Sequence, residues 1–201
     1  MRKIFNSVLG LLACFSISCQ AQNLLENDFS NSAEKLNCVG RGVCQVSNGV
    51  LSSKGSFALF GNKVWTNYSM SFKARAPKEA EQVQIWAGFH TYNRFDRYVV
   101  GIKGGLQDDL YLMRTGYMGM DELMGEWYSL RIEVCGNRIR VFVNDNKLPH
   151  IDLVDKHMPQ QAPSGEVALG GSWIKTEFDD LKVVELDKDA LKSIPRKEFQ
   201  K

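Results

Sequence analysis

The 201-residue sequence has little of what most catalytic and transport chemistries need. It holds only three histidines, His90, His150 and His157, and no His-x-x-x-His or Cys-x-x-Cys pair. That removes the common zinc and redox motifs. Gly-x-Ser-x-Gly and phosphate-loop patterns are absent, which argues against an α/β-hydrolase or a nucleotide hydrolase. Gly104-Gly105 follows a strand-like run but no helix comes next, so it is not a dinucleotide loop. A formal charge of +2 lacks the basic surplus of a phosphate-dominated nucleic-acid binder. No amphipathic helix is legible before residue 187, and there is no internal repeat. With 44% hydrophobic and 24% charged residues, the composition is that of a globular chain with one domain or two very small ones.

The N-terminus reads as an export signal. Met1-Arg2-Lys3 is basic, Ile4 to Ile17 is mostly apolar, and Cys19-Gln20-Ala21 ends in a small residue. The apolar run is too short and too interrupted for a membrane span. Cleavage after Ala21 makes 1–21 a signal peptide. It removes Arg2 and Lys3 and no acid, leaving the mature chain with balanced charge. A lipid-anchored form is the rival reading, with Leu11-Leu12-Ala13-Cys14 or Ser16-Ile17-Ser18-Cys19 as the lipoprotein box. Either way the chain is expected outside the cytoplasm: periplasmic, cell-surface or extracellular. Export makes a disulfide between Cys38 and Cys44 plausible, because Gly40 and Gly42 between them permit a tight reversal. Cys135, in an alternating strand pattern, reads as a buried thiol.

The mature chain reads as all-β. Tyr68 to Arg75 alternates apolar and polar, placing Tyr68, Met70, Phe72 and Ala74 on a core face. Val83 to His90 follows, with Val83, Ile85, Ala87 and Phe89 on one face and Gln84, Trp86, Gly88 and His90 on the other. Arg97 to Lys103 and Leu110 to Arg114 are further strands. Trp127 to Val134 and Arg138 to Asn144 form a hairpin across Cys135-Gly136-Asn137. Val167 to Leu169 and Leu181 to Leu186 are the last strands. Leu24 to Phe29 and Ile151 to His157 read as single turns, and 187–201 as a charged tail, a short helix or a frayed end. About ten short strands with regular turn signals predict a two-sheet antiparallel β-sandwich over 22–186.

Gly125-Glu126-Trp127-Tyr128-Ser129-Leu130, Gly136-Asn137-Arg138, Gly165-Glu166-Val167-Ala168-Leu169 and Phe178-Asp179-Asp180-Leu181 occur in an order that resembles the concanavalin A-like, laminin-G-like jelly roll of bacterial secreted proteins. Asn93-Arg94-Phe95-Asp96-Arg97-Tyr98 and Thr176-Glu177-Phe178-Asp179-Asp180 resemble accessory modules of bacterial glycosidases more closely still. The related 3-keto-disaccharide hydrolase domains share the strand order, although their Leu-Phe-Asp-Gly-Lys opening is absent here. The resemblance implies a concave sheet whose outward side chains meet carbohydrate, with no cofactor required. It also allows a structural Ca²⁺, for which Asp28 and Asp180 near the two chain ends are oxygen ligands.

A sugar site wants aromatic platforms beside hydrogen-bonding side chains. Trp86, His90, Asn93, Arg94, Arg97, Tyr111 and Arg114 form the candidate ligand set, and Tyr117 and Trp173 are expected in loops that could rim a pocket. Catalysis at a glycosidic bond usually needs two carboxylates. The strand-borne Glu-x-Asp-x-Glu pattern of active jelly-roll glucanases is missing, and Glu177-Phe178-Asp179 is a two-member remnant. The expected function is therefore a non-catalytic, lectin-like module acting on envelope glycans. The alternative is a glycoside hydrolase of the 3-keto-disaccharide type, for which acids and His90 would have to share one cleft. Membrane association is expected only through a lipid anchor.

Overall fold

The computed structural model describes residues 21–33, 35–76, 84–91, 98–103, 109–113, 116–119, 126–156, 164–171 and 173–194, with the backbone alone for Gln84 and for 102–119. Among the described residues thirteen strands follow one another: β1 (Asn23–Asn27), β2 (Asn37–Ser47), β3 (Val50–Phe60), β4 (Tyr68–Arg75), β5 (Gln84–Thr91), β6 (Tyr98–Lys103), β7 (Asp109–Met113), β8 (Gly116–Gly119), β9 (Tyr128–Cys135), β10 (Arg138–Val143), β11 (Ile151–Val154), β12 (Glu166–Gly171) and β13 (Thr176–Glu185). All pairings among them are antiparallel. The expectation of single turns at Leu24 to Phe29 and Ile151 to His157 is corrected: the first contains β1, paired to β13, and the second contains β11, paired to β10. Tyr117 lies in β8 rather than in a loop. His157 lies outside the described residues.

The strands form one curled sheet, ordered β11-β10-β9-β4-β13-β3-β12-β5-β6-β7-β8. Strand β3 turns the corner. Its first half, Leu51–Ser53, pairs with β13, and its second half, Phe57–Phe60, pairs with β12. Between them Gly55 takes φ +67°, a left-handed conformation that glycine adopts without a Cβ penalty. A strand that changes sheets at an irregularity is how a sandwich makes its corners. The result is a first sheet running from β11 to β13 and a second running from β12 to β8. The expected all-β jelly-roll sandwich is the fold that is found.

The core lies between the sheets. Tyr68, Met70, Phe72 and Ala74 of β4 are buried, as the alternation predicted. Tyr128, Leu130, Ile132 and Val134 of β9 continue that layer, and Ile85, Ala87 and Phe89 of β5 face it with Val167 and Leu169 of β12. Burying such a set is the main driving force for closing the sandwich, at about 25 cal/mol per Å² of apolar surface. The β9–β10 hairpin pairs Cys135 with Arg138, and Gly136 at φ +56° supplies the first position of its two-residue turn. The tail segment after β13 is docked rather than frayed. Arg138 donates to the carbonyls of Leu191 (2.6 Å) and Ile194 (2.7 Å) while its other nitrogens bind Asp152. Leu191 is buried against the domain.

Candidate functional site

The outer face of the second sheet collects aromatic and small residues in one rung. Reading across strands, Phe57 of β3 stands opposite Gly170 of β12, Gly170 opposite Trp86 of β5, and Trp86 opposite Gly101 of β6. Gly101 in turn faces Tyr111 of β7, which faces Tyr117 of β8. Phe57 and Trp86 are not on adjacent strands. Their rings meet over Gly170, stacked with centroids 5.4 Å apart and planes 14° from parallel. A Cβ at Gly170 would come within 2.7 Å of the Phe57 ring and 2.4 Å of the Ser56 carbonyl oxygen, so glycine is what lets the rings close. Both rings are half-buried. The next rung of the same register is Gln84–Lys103–Asp109.

Of the expected ligand set, Trp86 therefore stands on an outward platform, and Tyr111 holds a register position in the same rung. Asn93, Arg94, Arg97 and Arg114 lie outside the described residues. His90 is a correction. It is 4% exposed and sits in the core. Strand β5 carries an extra residue where its pairing to β12 shifts between Glu166 and Ala168, and His90 adopts φ +48° there. The bulge breaks the strict alternation and turns the imidazole inward. Its backbone N–H donates to Tyr68 Oη (2.9 Å), and Nε2–H donates to the Thr66 carbonyl (2.7 Å). Tyr68, Phe89 and Tyr98 surround the ring edge-on. Burial lowers the His90 pKa to about 4, only partly opposed by the hydrogen bond to Thr66. This is a neutral structural histidine.

Glu177 belongs to β13 of the first sheet. It points outward from the first sheet, where Arg75 (Nε 3.0 Å) and Lys175 (2.8 Å) hold its carboxylate. Burial pushes its pKa up, but the hydrogen bonds from Lys175 and Arg75 outweigh it and leave the group below its ordinary value. Glu177 and His90 therefore do not share a cleft. The first sheet's outer face holds its own cavity of about 180 Å³, lined by Lys73, Arg131, Phe142, Asp145 and Asp180 among others. There the Arg131 guanidinium lies 3.7 Å above the Phe142 ring.

The expected calcium ligands are neighbours: β1 ends at Asn27, opposite Leu181, which places Asp28 beside the Asp179–Asp180 bulge. Asp28 accepts the Ser30 N–H, and Asp180 is ion-paired to Lys73 at 2.7 Å. Among the described residues no group of three His, Cys, Asp or Glu side chains is arranged to hold a metal ion. Cys38 and Cys44 lie on the same strand, flanking the Gly40–Val43 bulge of β2, and both are free thiols. The Cys38 thiol donates to the Cys44 carbonyl at 3.8 Å, and Cys44 Sγ lies 3.1 Å from Ser56 Oγ. Burial, reinforced by the Cys44 side chain, pushes the Cys38 pKa to about 12.

Sequence reasoning missed Phe57. Its strand lacks clean alternation, and its stacking partner is reached across a third strand. The signal that could have found it is Gly170, an isolated glycine inside a strand pattern, which marks close approach of a neighbour.

No curated protein matches the chain in sequence. Among solved structures it is similar to the carbohydrate-binding module CBM66 from Bacillus subtilis, at 13% identity and TM-score 0.56, over 73% of this chain and 92% of that one. A Bacillus subtilis protein with a galectin-like fold matches at 9% identity and TM-score 0.60, over 83% and 98% of the two chains. The CBM2 module of the evolved Dit protein of Lactobacillus casei BL23 phage J-1 matches at 11% and 0.59, over 83% and 97%. At these identities the likeness is one of fold. Residues 22–184 match a described family directly, and on that match the chain belongs to the 3-keto-alpha-glucoside-1,2-lyase-like domain family.

Proposed function

We propose that the chain is an exported, non-catalytic carbohydrate-binding module that recognises glycans at the bacterial cell envelope through the outer face of its second sheet. The observation that carries this reading is the Phe57–Trp86 stack over Gly170. Half-buried rings fixed by a glycine floor offer a preorganised apolar surface to the C–H face of a sugar ring, at little entropic cost. Tyr111 extends the rung, and Asn93, Arg94, Arg97 and Arg114 are carried as hydrogen-bonding partners for hydroxyls. The family's description supports gluco-configured units as the first ligands to try. Binding of this kind needs no cofactor. A calcium ion at Asp28 and Asp180 would have to displace Lys73 from the Asp180 carboxylate. Any membrane attachment is assigned to a lipid on the N-terminal segment. No helix among the described residues is long and apolar enough to cross a bilayer.

A glycan array followed by calorimetry on wild type, Trp86→Ala and Arg97→Ala tests the proposal. Weakened binding in the variants supports the site; undiminished binding in both shows that it is misplaced.

One observation favours a second reading, a lyase acting on 3-keto-glucosides. Elimination there removes the proton on C2, acidified by the neighbouring carbonyl, forms a C1=C2 double bond as the C1–O bond breaks, and releases the C1 oxygen as an alcohol, so a base must stand beside the sugar to take the C2 proton and return it to the leaving oxygen. Asp109 occupies the rung next to Trp86, opposite Lys103. Consumption of a 3-keto-glucoside by wild type but not by Asp109→Asn would move the assignment from binding to catalysis.

A further inference from the structure

The second sheet's outer face is graded in exposure along its strands. Ala168 and Val99, in the rung beyond Trp86, are 0% and 4% exposed. Phe57 and Trp86 are half-buried. At the opposite end Trp173, in the link from β12 to β13, is 64% exposed.

This indole is not a loose surface side chain. Its ring lies on Gly55, where an added Cβ would come within 2.9 Å of ring carbons Cε3 and Cζ3. Gly55 rests in turn against Gly42, whose own Cβ position falls 1.7 Å from the Lys54 carbonyl oxygen. The corner where β3 changes sheets is thus closed by glycines that no other residue can replace without movement, and it presents an indole to solvent. Gly55 stands two residues before Phe57 on β3, a displacement of about 6.6 Å at the usual strand rise. Gln84, Lys103 and Asp109 lie on the Trp173 side of Trp86, because β12 runs antiparallel to β5 and leaves toward Trp173 beyond Gly171.

We infer that Trp173 is a second stacking position, and that the ligand is a chain of at least two pyranose units, one on the Phe57–Trp86 stack and the next on Trp173. This rests on the sugar-binding reading above. The face is covered at Ala168 and Val99, so the chain extends toward Trp173. A free monosaccharide occupies the inner position alone.

The test is a length series. Methyl glucoside and α- and β-linked gluco-oligosaccharides, from disaccharide to hexasaccharide, are titrated into the wild type, Trp173→Ala, Trp173→Phe and Trp86→Ala. Circular dichroism confirms that each variant is folded. Loss of one stacking contact is expected to weaken the tetrasaccharide about tenfold in Trp173→Ala. Methyl glucoside binding stays unchanged, and Trp173→Phe restores most of the loss. The inference is overturned if Trp173→Ala leaves the tetrasaccharide unaffected, or weakens methyl glucoside as much. Full binding of every length by Trp86→Ala would overturn the underlying sugar-site reading instead.

Discussion

His90 provides a quantitative test of how the second sheet is built. The Thr66 carbonyl can only accept, so Nε2 carries the ring proton and Nδ1 is the bare nitrogen; Nδ1 is buried and has no hydrogen-bond partner. Protonation would place an unpaired N–H⁺ among Tyr68, Phe89 and Tyr98. The folded pKa is lowered to about 4, from 6.5 in the unfolded chain. Below pH 6.5 the unfolded state therefore binds a proton that the folded state refuses. The stability contribution is complete above pH 6.5 and is lost as pH falls toward 4. Linkage between those two values gives a loss of about 2 kcal/mol between pH 7 and pH 5. Urea unfolding of wild type at both pH values measures the slope, and His90→Asn provides the reference, since asparagine tolerates the left-handed backbone at this position. The variant is less stable at pH 7, but its loss between pH 7 and pH 5 is smaller than that of the wild type by about 2 kcal/mol. Equal slopes in the two proteins would refute the buried, neutral assignment.

Gly170→Ala drives a Cβ into the Phe57 ring and the Ser56 carbonyl. It should cost about 1–3 kcal/mol and weaken glycan binding without removing any sugar-contacting side chain, as read by thermal unfolding and calorimetry. The Cys38 and Cys44 thiols should join when the protein is exposed to oxidised glutathione, with a mass loss of two hydrogens and protection from alkylation. The short loop they close limits the added stability to about 2.4 kcal/mol relative to the reduced protein. Persistent alkylation of both thiols would count against the pairing. Arg138→Ala removes the two guanidinium hydrogen bonds to the buried Asp152 carboxylate and releases the carbonyls of Leu191 and Ile194. The expected cost is about 3–5 kcal/mol, with faster tryptic cleavage at Lys188 and Lys192. Unchanged cleavage would show that the tail is held by other contacts.

The parts of this fold that were legible in the sequence are those where a strand keeps one face to the core along its whole length. Tyr68, Met70, Phe72 and Ala74 obey period two, and the residues between them meet solvent or polar neighbours. The β9–β10 hairpin was legible for the same reason, with Gly136 marking its turn. Strand β3 was not, because it serves two sheets: Ser52, Ser53 and Ser56 are buried at its corner, and Ser53 Oγ donates to the Ser56 carbonyl at 2.6 Å. A buried serine satisfied by its own strand looks polar to any rule that equates polarity with exposure. His90 failed for a related reason. Parity counted along β5 places it beside Trp86, yet one extra residue before Thr91 reverses its direction, and nothing local in Gly88-Phe89-His90-Thr91 announces that insertion. The candidate site was accordingly half visible. Trp86 follows from local alternation. Phe57, Gly170 and the glycine floor under Trp173 depend on which strands become neighbours, and that is decided by pairings between residues more than a hundred positions apart. The same separation makes the glycines informative: in a sandwich whose aromatic platform is assembled from distant strands, an isolated glycine in an otherwise regular strand records where another strand's ring has to pass.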